Sequence, residues 1–479
     1  MNDKEALGKS TGRSNNRQAG KTAASAKTAL RRQDIISKPI GQQLVKLTLP
    51  MLYAIVAIMG LGLIDSYFIS YLGTEQLAAI GFIVPVAGTV TSFGLGLGMA
   101  ISSLTSKLIG AEKISSAARL VTDGFYLTGV VALLTVLVLI WQLDNIFTSI
   151  GADNSTLNHI HNYMITWVIA APLMIYTMVC SSTLRAIGDT AASARIAIAM
   201  TLSNLILDPL LIFGIGPFPE LGMQGAALAT VIAVAISAAI GFHYLAVKEH
   251  LLLWARPAWF ELKLNLRQLL DIAIPALLAN AIVPLTATML TALVAVFGND
   301  AVAGYGVGVR VEAISMLVIY ALSSTLPMFI GQNLGAGRKD RVYQAIRGAF
   351  RFILILQFGI FLLLILGAES IANLFSEDPT VKQTITTFLW IVPLSYGLSG
   401  VVVLINVAVN VLGKPRLALY INVIRLVLFY FPLAYFGSHW FGLKGLFAGI
   451  ALGNCCAYVL ATVMLNKTLT ELGINQEDS

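Results

Sequence analysis

Residues 130–141 read Val-Val-Ala-Leu-Leu-Thr-Val-Leu-Val-Leu-Ile-Trp, and residues 358–367 read Phe-Gly-Ile-Phe-Leu-Leu-Leu-Ile-Leu-Gly. Neither stretch holds a charge, and neither alternates polar with apolar residues. A membrane barrel strand would alternate, one face toward lipid and one toward the lumen. An unbroken apolar run marks a helix crossing hydrocarbon, which takes about 20 such residues. The whole chain agrees. Of 479 residues, 57% are hydrophobic and 11% charged, against roughly 25% charged in soluble domains. Mean hydropathy is +0.81. A soluble fold would lack charge to cover its surface, and a disordered chain would not carry this much apolar content. The fold class is therefore an all-α polytopic membrane protein, with apolar material after residue 40 for about twelve crossings.

The predicted spans lie near 43–69, 76–106, 119–142, 157–184, 191–214 and 223–247. A second set lies near 267–297, 301–331, 343–366, 380–411, 416–437 and 444–467. Loops after even-numbered spans carry most of the Lys and Arg, such as Lys107, Lys113, Arg185, Lys248, Arg338, Lys339 and Lys414. Loops after odd-numbered spans carry Glu75, Asp144, Asp153, Glu220 and Asp300, with Lys382 and Lys444 as exceptions. The positive-inside rule then places both termini in the cytoplasm. Residues 1–40 are basic and polar with no apolar run, which predicts a disordered cytoplasmic tail and no signal peptide. Such a tail suits anionic lipid head groups better than nucleic acid, and no nucleic-acid partner is expected.

The chain also repeats itself. Displaced by about 225 residues, Pro50 falls on Pro275, Gly73 on Gly298, Gly81 on Gly306, and Gly110-Ala111 on Gly335-Ala336. The expected organisation is a six-helix half at 41–247, a cytoplasmic linker at 248–266, a second half at 267–467 and a short cytoplasmic tail at 468–479. Six crossings per half give both halves the same orientation. They should be related by a pseudo-two-fold axis along the membrane normal, with a central cavity, as in alternating-access carriers. A lone monomer is the expected assembly.

Cys180, Cys455 and Cys456 lie in apolar runs and read as small hydrophobes. His159 and His161 are two apart, so they share no helix face, and no HExxH is present. Zinc chemistry and a nucleophile–base pair are thus not indicated, and neither an enzyme nor an organic cofactor is expected.

At membrane depth the informative residues are the ionisable ones, because each costs energy to keep there. Asp65, Asp208, Glu312 and Arg425 qualify, with Arg310 nearer a helix end. Asn204 and Asp208 are four apart and share a helix face. Pro209 removes a backbone donor in the same turn, which predicts a kink and a freed Leu205 carbonyl. That oxygen-rich turn suits a titrating carboxyl or a hard monovalent cation. Asp65 falls on Leu290 in the second half, and Asp208 near Phe431, so the carboxylates do not repeat. This asymmetry puts the coupling ion in the first half. Arg310 and Glu312 point to different faces, which makes Arg425 the favoured partner of Glu312, a substrate-facing role being the alternative. Met59, Tyr67, Tyr176, Met178, Ser181 and Met289, together with Glu312, are candidate lining for a substrate cavity.

Taken in order, several short motifs resemble the multidrug and toxic compound extrusion (MATE) transporters. They are Leu49-Pro50, Asp65, Leu184-Arg185-Ala186-Ile187-Gly188-Asp189, Asn204 to Pro209, Gly222-Met223-Gln224-Gly225-Ala226-Ala227 and Gly331-Gln332-Asn333-Leu334-Gly335-Ala336. The chain looks closer to the DinF-like branch, because carboxylates on spans 7 and 10 are missing. The resemblance implies secondary export of organic, often cationic, amphipathic xenobiotics in exchange for H+ or Na+, across a bacterial inner membrane. It also implies an ion site at Asp65, Asp208, Asn204 and a span-6 threonine matched to Thr230, where Na+ would bind if Na+ is the coupling ion. Where relatives have Asn on span 4, this chain reads Cys180-Ser181-Ser182-Thr183. Two other readings are a flippase for a lipid-linked precursor and an intramembrane aspartyl enzyme. The acidic first half speaks against the former, and the repeat against the latter.

Overall fold

A computed structural model describes residues 25–151, 154–253 and 259–474, and these residues form helices and no strands. In chain order they are α1 (25–37), α2 (Ile40–Ser70), α3 (Thr74–Gly110), α4 (Ile114–Ile150), α5 (Asn154–Trp167), α6 (Ala170–Ala186), α7 (Thr190–Ile212) and α8 (Gly222–His243). There follow α9 (Trp259–Ala295), α10 (Asn299–Ser315), α11 (Leu317–Gly335), α12 (Lys339–Phe375), α13 (Pro379–Ile391), α14 (Tyr396–Val411), α15 (Pro415–Ile424) and α16 (Phe431–Glu471).

Among the described residues, ten helices are long and apolar enough to cross a membrane, and the pair α5–α6, bent by 51°, makes an eleventh. Gly442 supplies the twelfth. Its φ of 61° and ψ of −146° lie in a region open essentially to glycine alone. The turn there divides α16 and separates two crossings. Other breaks have proline causes. A 3-10 turn, Val392–Ser395, joins α13 to α14 around Pro393. A π-turn, Arg425–Tyr430, precedes Pro432, which has no N–H to continue a regular ladder. Helix α13 starts on an Asp378 cap, whose carboxylate accepts from the Thr380 and Val381 amides. Those amides hold the carboxyl below its usual value.

Two compact units result. The first comprises the chain through Leu270 together with Gly331–Gly337, and the second comprises Asp271–Ile330 and Arg338 onward. The expected linker at 248–266 is therefore partly helical: residues 244–248 form a π-turn and α9 begins at Trp259. In the first unit, α4 exposes Val130, Leu133, Leu134, Leu137, Val138 and Trp141. Their spacing of three and four makes one apolar stripe along the helix. In the second, α12 exposes Ile355, Phe358, Leu362 and Leu366 in the same rhythm. Such stripes suit hydrocarbon and would be untenable in water.

The sequence reading of 1–40 as an unstructured tail needs correction for its last third. Residues 25–37 form α1; residues 1–24, like the last five at 475–479, lie outside the described residues. Helix α1 lacks an apolar run, but Thr28 and Ile35 are buried and its arginines are tied down. Arg31 pairs with Asp189 and, at 3.0 Å, with Glu249. Arg32 donates from Nε to the Gly110 carbonyl at 2.9 Å and pairs with Glu112. The motifs flagged in the sequence meet at this end of the unit. Gln332 Nε2 donates to the Ala186 carbonyl at 2.8 Å. A Cβ on Gly110 would collide with the Gln332 carbonyl, and one on Gly335 with the Lys107 carbonyl. Neither backbone can retreat cheaply. Gly335→Ala is therefore expected to destabilise the protein by about 1–3 kcal/mol, read as a lower melting temperature in detergent. An unchanged melting curve would mean that the backbones part without cost.

Candidate functional site

The expected ion-site residues come together inside the first unit. Helix α7 presents Thr201, Asn204 and Asp208 on one face, by spacing of three and four, and all three are buried. Asn204 Nδ2 donates to Asp208 Oδ1 at 3.0 Å. Among the described residues, the second carboxylate oxygen, Oδ2, is buried with no partner, as is the Thr201 hydroxyl. Asp65 on α2 is half-buried and interacts electrostatically with Asp208. Thr230 on α8 donates to the Ala226 carbonyl at 3.1 Å, leaving its oxygen lone pairs available. The helix does not break at Pro209: α7 runs continuously to Ile212. The proline still withholds the N–H that would have bonded the Leu205 carbonyl.

Tyr163 was not foreseen. It lies on α5, is 6% exposed, meets the Thr230 hydroxyl and feels the charge of both Asp65 and Asp208. A single tyrosine in an aromatic-rich chain gives no sequence signal; only the packing of α5 against α8 singles it out. Chemically the group holds two carboxylates, an amide and three hydroxyls, with two buried oxygens, Asp208 Oδ2 and the Thr201 hydroxyl, unmatched among the described residues. Two carboxylates that sense each other in a low dielectric repel each other unless a proton or cation relieves the charge.

The expected cavity residues are divided between the two units. Tyr176 donates to the Phe125 carbonyl at 3.3 Å, and Met178 packs on Gly94. Ser181 accepts from Arg185 at 3.0 Å and lies 2.5 Å from the Ser193 hydroxyl. These three serve contacts between helices of the first unit. Ser182 also accepts from Arg185, at 2.7 Å, so the serines that replace an expected span-4 amide hold this arginine. Met59 is half-buried on α2, and Tyr67 is exposed with its hydroxyl 2.6 Å from that of Tyr71. Met289 and Glu312 belong to the second unit. A groove of about 670 Å³ in the first unit, lined by Trp141, Asp144, His161 and Pro172, contains none of the site residues.

Glu312 does not pair with Arg425 as expected. No cation lies within 4 Å of its carboxylate among the described residues, although it senses the arginine. Arg425 Nη2 instead donates to Ser399 at 3.0 Å, to Asn454 Oδ1 at 2.9 Å and to the Tyr430 hydroxyl. The side-chain length needed to reach three polar neighbours was not readable from helical spacing. A second buried charge also escaped notice: Asp123 on α4 pairs with Arg119 at 3.0 Å and accepts from Asn265 at 2.8 Å.

A helical membrane protein of two six-crossing halves, with a carboxylate site in one of them, is the architecture of a secondary transporter. The sequence model of the MatE family matches residues 50–210 and again 275–436. The two matches start on Pro50 and Pro275, the offset of the internal repeat. This chain belongs to the MatE family of transporters. It is 39% identical to the "FAD transporter" of Shewanella oneidensis over 88% of this chain and 94% of that one. It is 26% identical to "Multidrug export protein MepA" of Staphylococcus aureus over 90% and 95%. Among solved structures, the Vibrio cholerae MATE transporter VcmN in its bent form superposes with a TM-score of 0.82 at 32% identity, covering 94% of this chain and 98% of that one.

Proposed function

We propose that this protein is an ion-coupled antiporter that exports a phosphorylated flavin, with both termini in the cytoplasm and H+ or Na+ as the driving ion. The coupling site is Asp65, Asp208, Asn204, Thr230 and Tyr163. The observation that carries it is Asp208: one oxygen is fixed by Asn204, and the other is buried, without a partner among the described residues and in the field of a second carboxylate. A proton or Na+ answers that unmatched acceptor. Ion and cargo then favour different facing states and exchange by competition. The cargo rests on the 39% identity to a protein named for FAD. Organic cations are the second reading, favoured by the relatives named for multidrug export and by the net acidity of the site.

Reconstituted vesicles separate these readings. Under an imposed pH gradient, then an imposed Na+ gradient, export of FAD and of a cationic dye is followed by fluorescence. One gradient is expected to drive FAD movement and the other to leave it unchanged. Movement of the dye alone would transfer the cargo assignment to cations. Movement that ignores both gradients would remove the antiport.

A further inference from the structure

The groove in the first unit has no part in the ion site. It lies where the span made of α5 and α6 bends by 51°, beside the unbroken α4. Pro172 would clash with the Val168 carbonyl of a straight helix, so the bend falls there. Val136 and Ile140 of α4 form one wall, and Ile165, Val168 and Ile169 form the other. Ile140 is exposed like Leu137 one turn before it, so this wall continues the lipid-facing stripe of α4. The volume is about 670 Å³, within the range of about 300–1,000 Å³ that holds small ligands. Apolar walls do not hold ordered water, which needs polar partners. An empty groove would forfeit dispersion contacts. In a bilayer the filler at hand is an acyl chain.

One end of the groove is polar. Trp141, Asp144 and Asn145 follow one another on α4, and His161 of α5 joins them. Trp141 is 78% exposed, as suits an aromatic at the boundary of hydrocarbon and water. The Asp144 side chain is 77% exposed, and His161 Nδ1 lies 3.5 Å from its Oδ1. That contact is too long to use up the carboxylate's acceptors. No Lys or Arg occurs between Arg119 and Arg185. An anionic headgroup would therefore meet a carboxylate here and no permanent cation from this stretch.

We propose that the groove is a site for a phospholipid with a primary ammonium headgroup, its acyl chain between α4 and the bend and its ammonium on Asp144. The ammonium's N–H groups match a carboxylate with unspent acceptors. A choline headgroup carries the same positive charge but no N–H, and a glycerol headgroup carries no cation. The assignment depends on neither the cargo nor the coupling ion.

The test uses full-length protein in phosphatidylcholine vesicles holding a minor share of one lipid brominated in its acyl chains. That lipid is phosphatidylethanolamine, phosphatidylcholine or phosphatidylglycerol. Bromine quenches nearby tryptophan, and each protein measured against its own Trp141→Phe counterpart isolates the signal at the rim. Brominated phosphatidylethanolamine is expected to quench Trp141 about threefold more strongly than the other two, the size of an exposed ion contact. Asp144→Asn changes an exposed side chain, so the protein should fold normally and the three lipids should become equal. Ile165→Trp fills the groove and keeps the carboxylate, and it should also make them equal. Equal quenching by all three in the wild type would overturn the proposal, as would strongest quenching by phosphatidylglycerol. An ethanolamine preference that survives Asp144→Asn or Ile165→Trp would overturn the placement of the lipid in this groove.

Discussion

Asparagine in place of Asp208 is expected to leave a folded protein that no longer couples cargo to an ion gradient. The substitution keeps the shape and an oxygen able to accept from Asn204. It removes the charge and the buried, unpartnered acceptor. A neutral amide is cheaper to bury than a carboxylate, so the melting temperature should stay or rise. Coupling free energies of 1–3 kcal/mol correspond to about 5–150-fold, and gradient-driven export should fall by a factor in that range. Cargo counterflow without a gradient should persist. Asp65→Asn should give a loss of the same kind. If both carboxylates serve one ion, the double variant should be no worse than either single one, because residues acting as a unit are not additive. Full driven export by Asp208→Asn would show that the carboxylate is structural.

The largest stability effect should come from Arg31→Ala. Arg31 neutralises both Asp189 and Glu249, and the Glu249 side chain is only 1% exposed. Removing one partner of a buried pair typically costs 3–5 kcal/mol. Arg31 is 18% exposed, so solvent relieves part of this and about 3 kcal/mol is the expected loss. The midpoint of heat inactivation in detergent reads it, with Arg31→Lys recovering part. Arg195→Ala removes an exposed bond to the Tyr244 hydroxyl and should cost no more than about 0.5 kcal/mol. Equal midpoints for the two alanine variants would mean that α1 contributes no more than a surface contact.

What was legible in the sequence followed from strong one-dimensional signals. Hydrocarbon forbids charge over long runs, so the run at 130–141 declared a crossing, and a gapless internal match declared the two halves. Asp65, Asn204 and Asp208 stood out because charge at depth is rare. The misses have a common cause. Helix α1 is held by Arg32, whose carbonyl acceptor is 78 residues away, and by Arg31, whose acceptors are 158 and 218 residues away, and its 13 residues carry no apolar run. Tyr163, the Asp123–Arg119 pair and the Arg425 network depend on which helices lie side by side. The expected Glu312–Arg425 pair failed for the same reason. Opposite charges in one half suggest a bond, but the side chains of Ser399, Asn454 and Tyr430 reach the arginine first.

The latch formed by Arg31 has a consequence for how the chain is made. Its acceptors lie 158 and 218 residues downstream. At about 5–20 residues per second of synthesis, some 10–40 seconds pass between the emergence of α1 and that of Glu249. During that interval Arg32 can already find Gly110 and Glu112, and Arg31 can find Asp189, but the pair with Glu249 must wait. Completion of the latch therefore reports that the first half has emerged, and the onset of full protection of α1 in a pulse-labelled chain would time that event.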